Sequence, residues 1–201
     1  MKQLIIYIHG QGGHAEESEH YKPLFKESDV IGFDYKAENP WEAKDEFSHF
    51  YNEQSKGYNS VILIASSIGA YFSMCSLFDK GISKAFFISP IVDMEKLISD
   101  MMVWADVTED KLKQEKEIAT SFCETLSWEY LCYVREHSIS WNIPTYILYG
   151  KKDNLTSKET VSTFAKQIGA KLTVAENAEH WFHTDEQMQV LDEWIKSVEI
   201  S

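Results

Sequence analysis

The chain has 201 residues, 44% of them hydrophobic and 25% charged, with nine glycines and four prolines. This excludes disorder, collagen-like repeats and low complexity, and the length suits one domain, expected over 1–201, whose core needs no disulfides. Nineteen basic against 32 acidic side chains leave a net charge of −13, and Arg135 is the only arginine; nucleic acid and anionic membrane are therefore excluded as partners, and a neutral or cationic small molecule is favoured over a polyanion.

The predicted elements alternate between short apolar runs and longer helical patterns. Leu4–His9 is a first strand, too short to be the apolar region of a secretory signal. Val30–Tyr35 is a second. Phe47, Phe50, Tyr51 and Gln54 form a stripe that predicts a helix over 41–57. Val61–Ser66 and Ala85–Ser89 follow as strands, then Thr145–Tyr149 and Leu172–Ala175. All six are apolar on both parities, as strands covered on both faces are. Helices are predicted over 157–168, from Val161, Phe164, Ala165 and Ile168, and at the C-terminus, from Met188, Leu191, Ile195 and Val198. Thr184-Asp185-Glu186-Gln187 reads as the capping box of the latter. Strands alternating with helices imply a parallel sheet with right-handed crossovers. Between Pro90 and Pro144 no strand is predicted and 108–136 is helical in character, which reads as a helical lid insertion at roughly 91–142. No stretch reaches the ~18 apolar residues of a membrane helix. The three cysteines, Cys75, Cys123 and Cys132, form no CxxC pair, and a reducing, cytoplasmic location is expected.

Five of the nine glycines follow predicted strands: Gly10, Gly12 and Gly13 after the first, Gly69 after the third and Gly150 after the fifth. In open parallel sheets that edge carries ligand sites. Ala65-Ser66-Ser67-Ile68-Gly69, between a buried strand and a helix, has the small-x-Ser-x-Gly pattern of a nucleophile elbow, with Ala65 and Gly69 as the small flanking residues. Ser67 is the candidate nucleophile; Ser66 competes, but would put Ile68 where a small residue is needed. At a helix start the N–H of Ile68 is available to an oxyanion. A serine hydroxyl needs a positioned base and a carboxylate to orient it. Asp153, after the Tyr149-Gly150-Lys151-Lys152 turn, and His180, before the last helix, supply them in the order Ser, Asp, His. Asp93 competes for the acid and His183 for the base.

The His9-Gly10-Gln11-Gly12-Gly13 turn, the 65–69 elbow, the 149–153 turn and the Glu179-His180 loop with its following Trp194 helix together resemble the α/β-hydrolase family. The resemblance spans nearly the whole chain, beginning at what would be the family's third strand, and its elbow has Ala65 where the family has glycine. It implies a three-layer α/β sandwich of about six mostly parallel strands with a helical lid, and a serine hydrolase that cleaves a small carboxylic ester through an acyl-serine, without cofactor or metal. It also implies that the backbone N–H of Gln11 is the second oxyanion donor.

Two other readings compete. One is a hydrolase-fold binding protein without catalysis. The other is a dinucleotide site, in which Gly10, Gly12 and Ala15 follow a strand and Asp34 ends the next; Glu16, Glu17 and Glu19 oppose it by repelling a pyrophosphate. His180 with His183 has no convincing third ligand and is a weak metal signal. His14, His20, His49 and His137 are expected at the surface. Met94, Met101, Met102, Trp104, Trp128, Tyr130 and Tyr133 are candidates either for an acyl pocket or for plain core.

Overall fold

The computed structural model describes residues 2–199; Met1, Ile200 and Ser201, included in the single-domain expectation, lie outside the described residues. In chain order it contains β1 (Gln3–Ile8), a 3-10 helix (Ala15–Tyr21), β2 (Asp29–Phe33), α1 (Pro40–Gln54), β3 (Ser60–Ser66), α2 (Ser67–Ser76) and β4 (Ile82–Ile88). These are followed by α3 (Met94–Trp104), α4 (Glu109–Glu115), β5 (Glu117–Ala119), β6 (Thr125–Ser127) and α5 (Trp128–Glu136). The chain then completes β7 (Thr145–Gly150), α6 (Lys158–Ile168), β8 (Lys171–Ala175) and α7 (Asp185–Glu199). By its contacts it divides into a unit of residues 1–92 and 140–201 and a unit of residues 93–139.

The first unit is built on a six-stranded sheet in the order β2-β1-β3-β4-β7-β8, parallel at every pairing. Its inner strands β1, β3, β4 and β7 are largely buried on both parities because both faces are covered, whereas the edge strand β8 leaves Lys171 and Thr173 exposed. On one face Ile5, Tyr7, Ile62, Ile64, Phe86, Ile88 and Leu148 form a core with Leu191, Trp194, Ile195 and Val198 of α7. Phe86 meets Trp194 edge-on, with ring centroids 5.4 Å apart. Strand alternation turns Leu63, Phe87 and Ile147 the other way, and they are fully buried too. α1 and α2 pack on each other, and α2 lies along β1, β3 and β4. Phe47 of α1 and Phe72 of α2 meet edge-on, 6.1 Å apart.

Because all six strands run the same way, their carboxyl ends share one edge. Ile8 pairs with Ala65 and Ser66 with Ile88 at that edge, and Gly150 pairs with Ala175. The 9–13, 66–67, 150–153 and 176–180 segments all leave the sheet there.

The second unit corrects the expectation that no strand lies between Pro90 and Pro144, where 108–136 reads as helical in character. Glu117–Ala119 and Thr125–Ser127 form an antiparallel hairpin, with Ile118 paired to Leu126. The three helices around it are held by Arg135 of α5. Its guanidinium donates two bonds to Glu109 of α4 (2.7 and 2.9 Å) and one to Glu95 of α3 (2.7 Å). No helix among the described residues is long and apolar enough to cross a membrane.

Candidate active site

The turn from β3 into α2 is tight. Ser66 is still extended (φ −110°, ψ 140°), and the next residue, Ser67, is already the first of the helix. Ser67 adopts φ 50°, the left-handed region that a side chain enters only at a cost of about 1–3 kcal/mol. The turn is possible because Gly69 has no side chain. A β-carbon there would lie 2.2 Å from the His9 carbonyl oxygen and 2.9 Å from Ile8 Cγ2. α2 therefore starts in direct backbone contact with the end of β1. Ala65, fully buried, is the small residue on the strand side. Ile68, in the first turn, is among the residues whose N–H has no partner within the helix.

Ser67 Oγ lies 2.8 Å from His180 Nε2, and His180 Nδ1 lies 2.7 Å from Asp153 Oδ2. The three residues named from the sequence are thus joined in one hydrogen-bonded chain, although 113 residues separate the serine from the histidine. The Asp153 side chain is wholly buried and that of His180 is 11% exposed. A buried carboxylate is tolerated only when its oxygens are bonded. Asp153 Oδ1 accepts the N–H groups of Leu155 (2.8 Å) and Thr156 (2.9 Å), which leaves Oδ2 for the imidazole. Since a carboxylate only accepts, Nδ1 carries a proton, and neutral His180 then presents a bare Nε2 to the serine hydroxyl.

Asp153 and His180 are brought together by their backbones. The N–H of Lys151 bonds the Ala175 carbonyl and that of Lys152 the Ala178 carbonyl, both at 2.9 Å. Gly150 permits this seam, since a β-carbon there would lie 2.2 Å from the Glu179 carbonyl oxygen.

The residues weighed against these three are engaged elsewhere. Asp93 caps α3 by accepting the Lys96 N–H at 2.9 Å. His183 is exposed, stacks on Trp181 with centroids 4.4 Å apart, and has Nδ1 2.7 Å from the Trp181 carbonyl. The Thr184 hydroxyl accepts the Gln187 N–H at 3.3 Å, the cap expected at the start of α7. His20 departs from expectation: it is half-buried, with Nε2 2.7 Å from Asp192 of α7. Trp128 and Tyr133 line a cleft of about 600 Å³ within the second unit, together with Cys132 and the carboxylates of Glu115, Glu117, Glu129 and Glu136. Met94 and Met102 are buried, whereas Trp104 is half exposed.

Gln11 sits at the exposed tip of the turn after β1. That turn is braced from several sides. The Gly13 N–H donates to the Gly10 carbonyl (3.1 Å), the His14 N–H to Glu17 Oε1 (3.3 Å), and the buried Tyr7 hydroxyl to Glu17 Oε2. Burial pushes the Tyr7 hydroxyl well above its ordinary pKa, so it keeps its proton and stays a donor. After the turn comes a seven-residue 3-10 helix rather than the α-helix of a dinucleotide site, and its first N–H, that of Ala15, is taken by Asp34 at 3.2 Å. Among the described residues no group of three or more His, Cys, Asp or Glu is placed to hold a metal ion.

His9 is the residue that the sequence reading left without a role of its own. It is buried, its ring stacks on Tyr35, and its Nδ1 lies 2.7 Å from the Gly10 carbonyl oxygen. The available signal was a histidine at the end of an otherwise apolar strand.

No protein-family model matches the chain, and no curated protein sequence does. Solved structures do. Est1E from Butyrivibrio proteoclasticus matches with a TM-score of 0.78 and 16% identity, over 99% of this chain and 87% of that one; a structure of ferulic acid bound to Est1E matches with a TM-score of 0.77 and 16% identity, over 98% and 88%. Mouse alpha/beta hydrolase domain-containing protein 10 matches with a TM-score of 0.72 and 15% identity, over 98% of this chain and 90% of that one. At such identities the likeness speaks for the backbone: with its parallel sheet, covering helices and strand-to-helix elbow, this chain has the α/β-hydrolase fold.

Proposed function

We propose that this protein is a serine hydrolase that cleaves a small carboxylic ester through an acyl-Ser67 intermediate. The observation that carries the reading is the unbroken Ser67–His180–Asp153 hydrogen-bond chain at a strained elbow. In this reading Ser67 Oγ attacks the ester carbonyl while its proton passes to His180 Nε2. The carbonyl oxygen becomes an oxyanion, stabilised by the N–H groups of Ile68 and Gln11. The intermediate collapses, the C–O bond to the alcohol breaks, and the imidazolium returns the proton to the leaving alkoxide. Water, deprotonated by His180, then attacks the acyl carbon and releases the acid and free Ser67. Asp153 acts through His180, fixing its tautomer and stabilising the imidazolium.

Ester is favoured over other acyl bonds by the neighbours: ferulic acid has been seen bound to Est1E, and a Pyrococcus furiosus neighbour is named an esterase. A net charge of −13 with one arginine, itself bonded to Glu95 and Glu109, supports a substrate without multiple negative charges. The test is labelling by a fluorophosphonate and turnover of p-nitrophenyl esters of graded acyl length. Ser67→Ala is expected to lose the label and about 10⁴-fold or more in turnover while remaining folded. Full activity in that variant would remove Ser67 from the mechanism, and a folded wild-type chain that never labels would favour a binding protein.

A further inference from the structure

His180 is followed directly by Trp181, which at 71% exposure is the most exposed large apolar side chain among the described residues of the first unit. A single exposed aromatic is ordinary on a protein surface. Trp181 differs in being held still. Side chains alternate along its loop: Phe182 turns inward and joins the core with Leu191 and Trp194, while Trp181 and His183 turn outward. Outside, their two rings stack, with centroids 4.4 Å apart and planes inclined by 18°. His183 Nδ1 donates to the Trp181 carbonyl at 2.7 Å, and the His183 N–H donates to Gln187 Oε1 of α7 at 3.1 Å. One face of the indole is thus backed by an imidazole that is itself tied to a helix. No other ring meets it among the described residues, so its second face is open. Holding a side chain in one rotamer costs entropy, and here no burial of the indole offsets it.

The chemistry decides which half of an ester meets this ring. In the proposed cycle the His180 imidazolium gives its proton to the leaving alkoxide, so that oxygen must come within about 2.6–3.2 Å of Nε2. Nε2 already lies 2.8 Å from Ser67 Oγ. The alcohol half of the ester therefore begins beside His180, whereas the acyl half extends from the carbon that Ser67 attacks. The next Cα along the chain, about 3.8 Å from that of His180, is the one that carries the indole. A flat aromatic face favours a flat partner, because offset stacking adds to what burial alone contributes.

We infer that Trp181 is a specificity-determining residue: its open face receives the alcohol half of the substrate, and that half carries an aromatic ring stacked on the indole opposite His183. The inference rests on the serine-hydrolase reading and narrows its substrate class to esters of aromatic alcohols. Trp181 takes no part in bond making or proton transfer.

The experiment compares esters that differ in one half only. Benzyl, cyclohexylmethyl and ethyl acetate share the acetyl-Ser67 intermediate and differ in the alcohol that leaves. Wild type is expected to prefer benzyl over cyclohexylmethyl acetate by about 3- to 10-fold in kcat/KM. Trp181→Leu keeps an apolar side chain but loses the aromatic face, and should bring that ratio to within about twofold of unity. In the same variant kcat/KM for ethyl acetate and the rate of fluorophosphonate labelling should stay within about twofold of wild type, as for other exposed substitutions. Trp181→Phe should retain the preference for the benzyl ester. Ethyl phenylacetate and ethyl cyclohexylacetate place the same two rings on the acyl half, and their ratio should not differ between wild type and Trp181→Leu. A benzyl preference that survives in Trp181→Leu overturns the inference. So does a change confined to the acyl pair, which would put the ring on the other half of the substrate. A uniform fall across all esters and in labelling would show a structural role, and overturns it too. Wild type that hydrolyses ethyl acetate without favouring benzyl acetate overturns the inference while the serine-hydrolase reading stands. A wild-type chain that neither labels nor hydrolyses any ester is a distinct result: it removes that reading, and the role of Trp181 with it.

Discussion

At the scale of single residues, what matters is how each polar group buried at the sheet edge is satisfied. The Asp153 side chain is wholly buried, but its two oxygens receive three donors, from Leu155, Thr156 and His180. Asp153→Asn keeps the shape while replacing one acceptor by an amide that donates. His180 would then turn its bare nitrogen inward, and turnover is expected to fall by about 10⁴-fold with little change in the melting temperature. Unaltered turnover would show that Asp153 does not set the tautomer. The cysteines give a second contrast. Cys75, on α2, is partly enclosed, and burial pushes its thiol up to about 11, so little thiolate exists at pH 8. Cys123 is exposed in the 119–125 turn. Iodoacetamide at pH 8, read by peptide mass spectrometry, should modify Cys123 well before Cys75; the reverse order would place Cys75 in a different environment.

At the scale of elements, the elbow depends on how closely α2 can approach β1. Gly69 sits against backbone atoms of His9 and Ile8, which cannot swing aside as a flexible side chain could. Gly69→Ala must push the first turn of α2 off the sheet. It should cost about 1–3 kcal/mol or more in urea unfolding and also lower turnover, because Ser67 moves with the helix. A variant as stable and active as wild type would mean that the contact relaxes freely. In the second unit the tie between elements is ionic. Arg135 links α5 to α4 and α3, and its bonds hold the Glu109 carboxyl below its ordinary value of 4.5. A carboxyl with a depressed folded-state pKa contributes its stabilisation above the unfolded value and loses it as pH falls through the folded one. Hydrogen exchange of α3–α5 in Arg135→Met should therefore be faster than in wild type at pH 7, and the difference should vanish as the pH is taken well below 4.5. A difference that persists in acid would show that the contribution of Arg135 lies in packing.

At the scale of the whole molecule, six parallel strands collect at one edge four segments that are far apart in sequence. The inner strands were legible in the sequence because burial on both faces leaves long apolar runs, and β8, exposed at Lys171 and Thr173, because its alternation is that of a strand with one covered face. The elbow was legible because a side chain held at the tip of a tight strand-to-helix turn demands small neighbours, and the order serine, aspartate, histidine followed from the strands that carry them. The hairpin of 117–127 was not, since strands of three residues are too short to show a period. Nor was the His20–Asp192 pair, whose members lie 172 residues apart. The amino-acid sequence by itself determined which residues are chemically able to act and which elements carry them, because both depend on side-chain type and local periodicity. Only the tertiary structure decided that Ser67, His180 and Asp153 share one hydrogen-bond chain, that Asp93 is spent on a helix cap, and that the His9 ring closes on the Gly10 carbonyl. Distances of this kind are set by how the sheet registers and by which glycines let backbones touch, and both are properties of the folded chain as a whole.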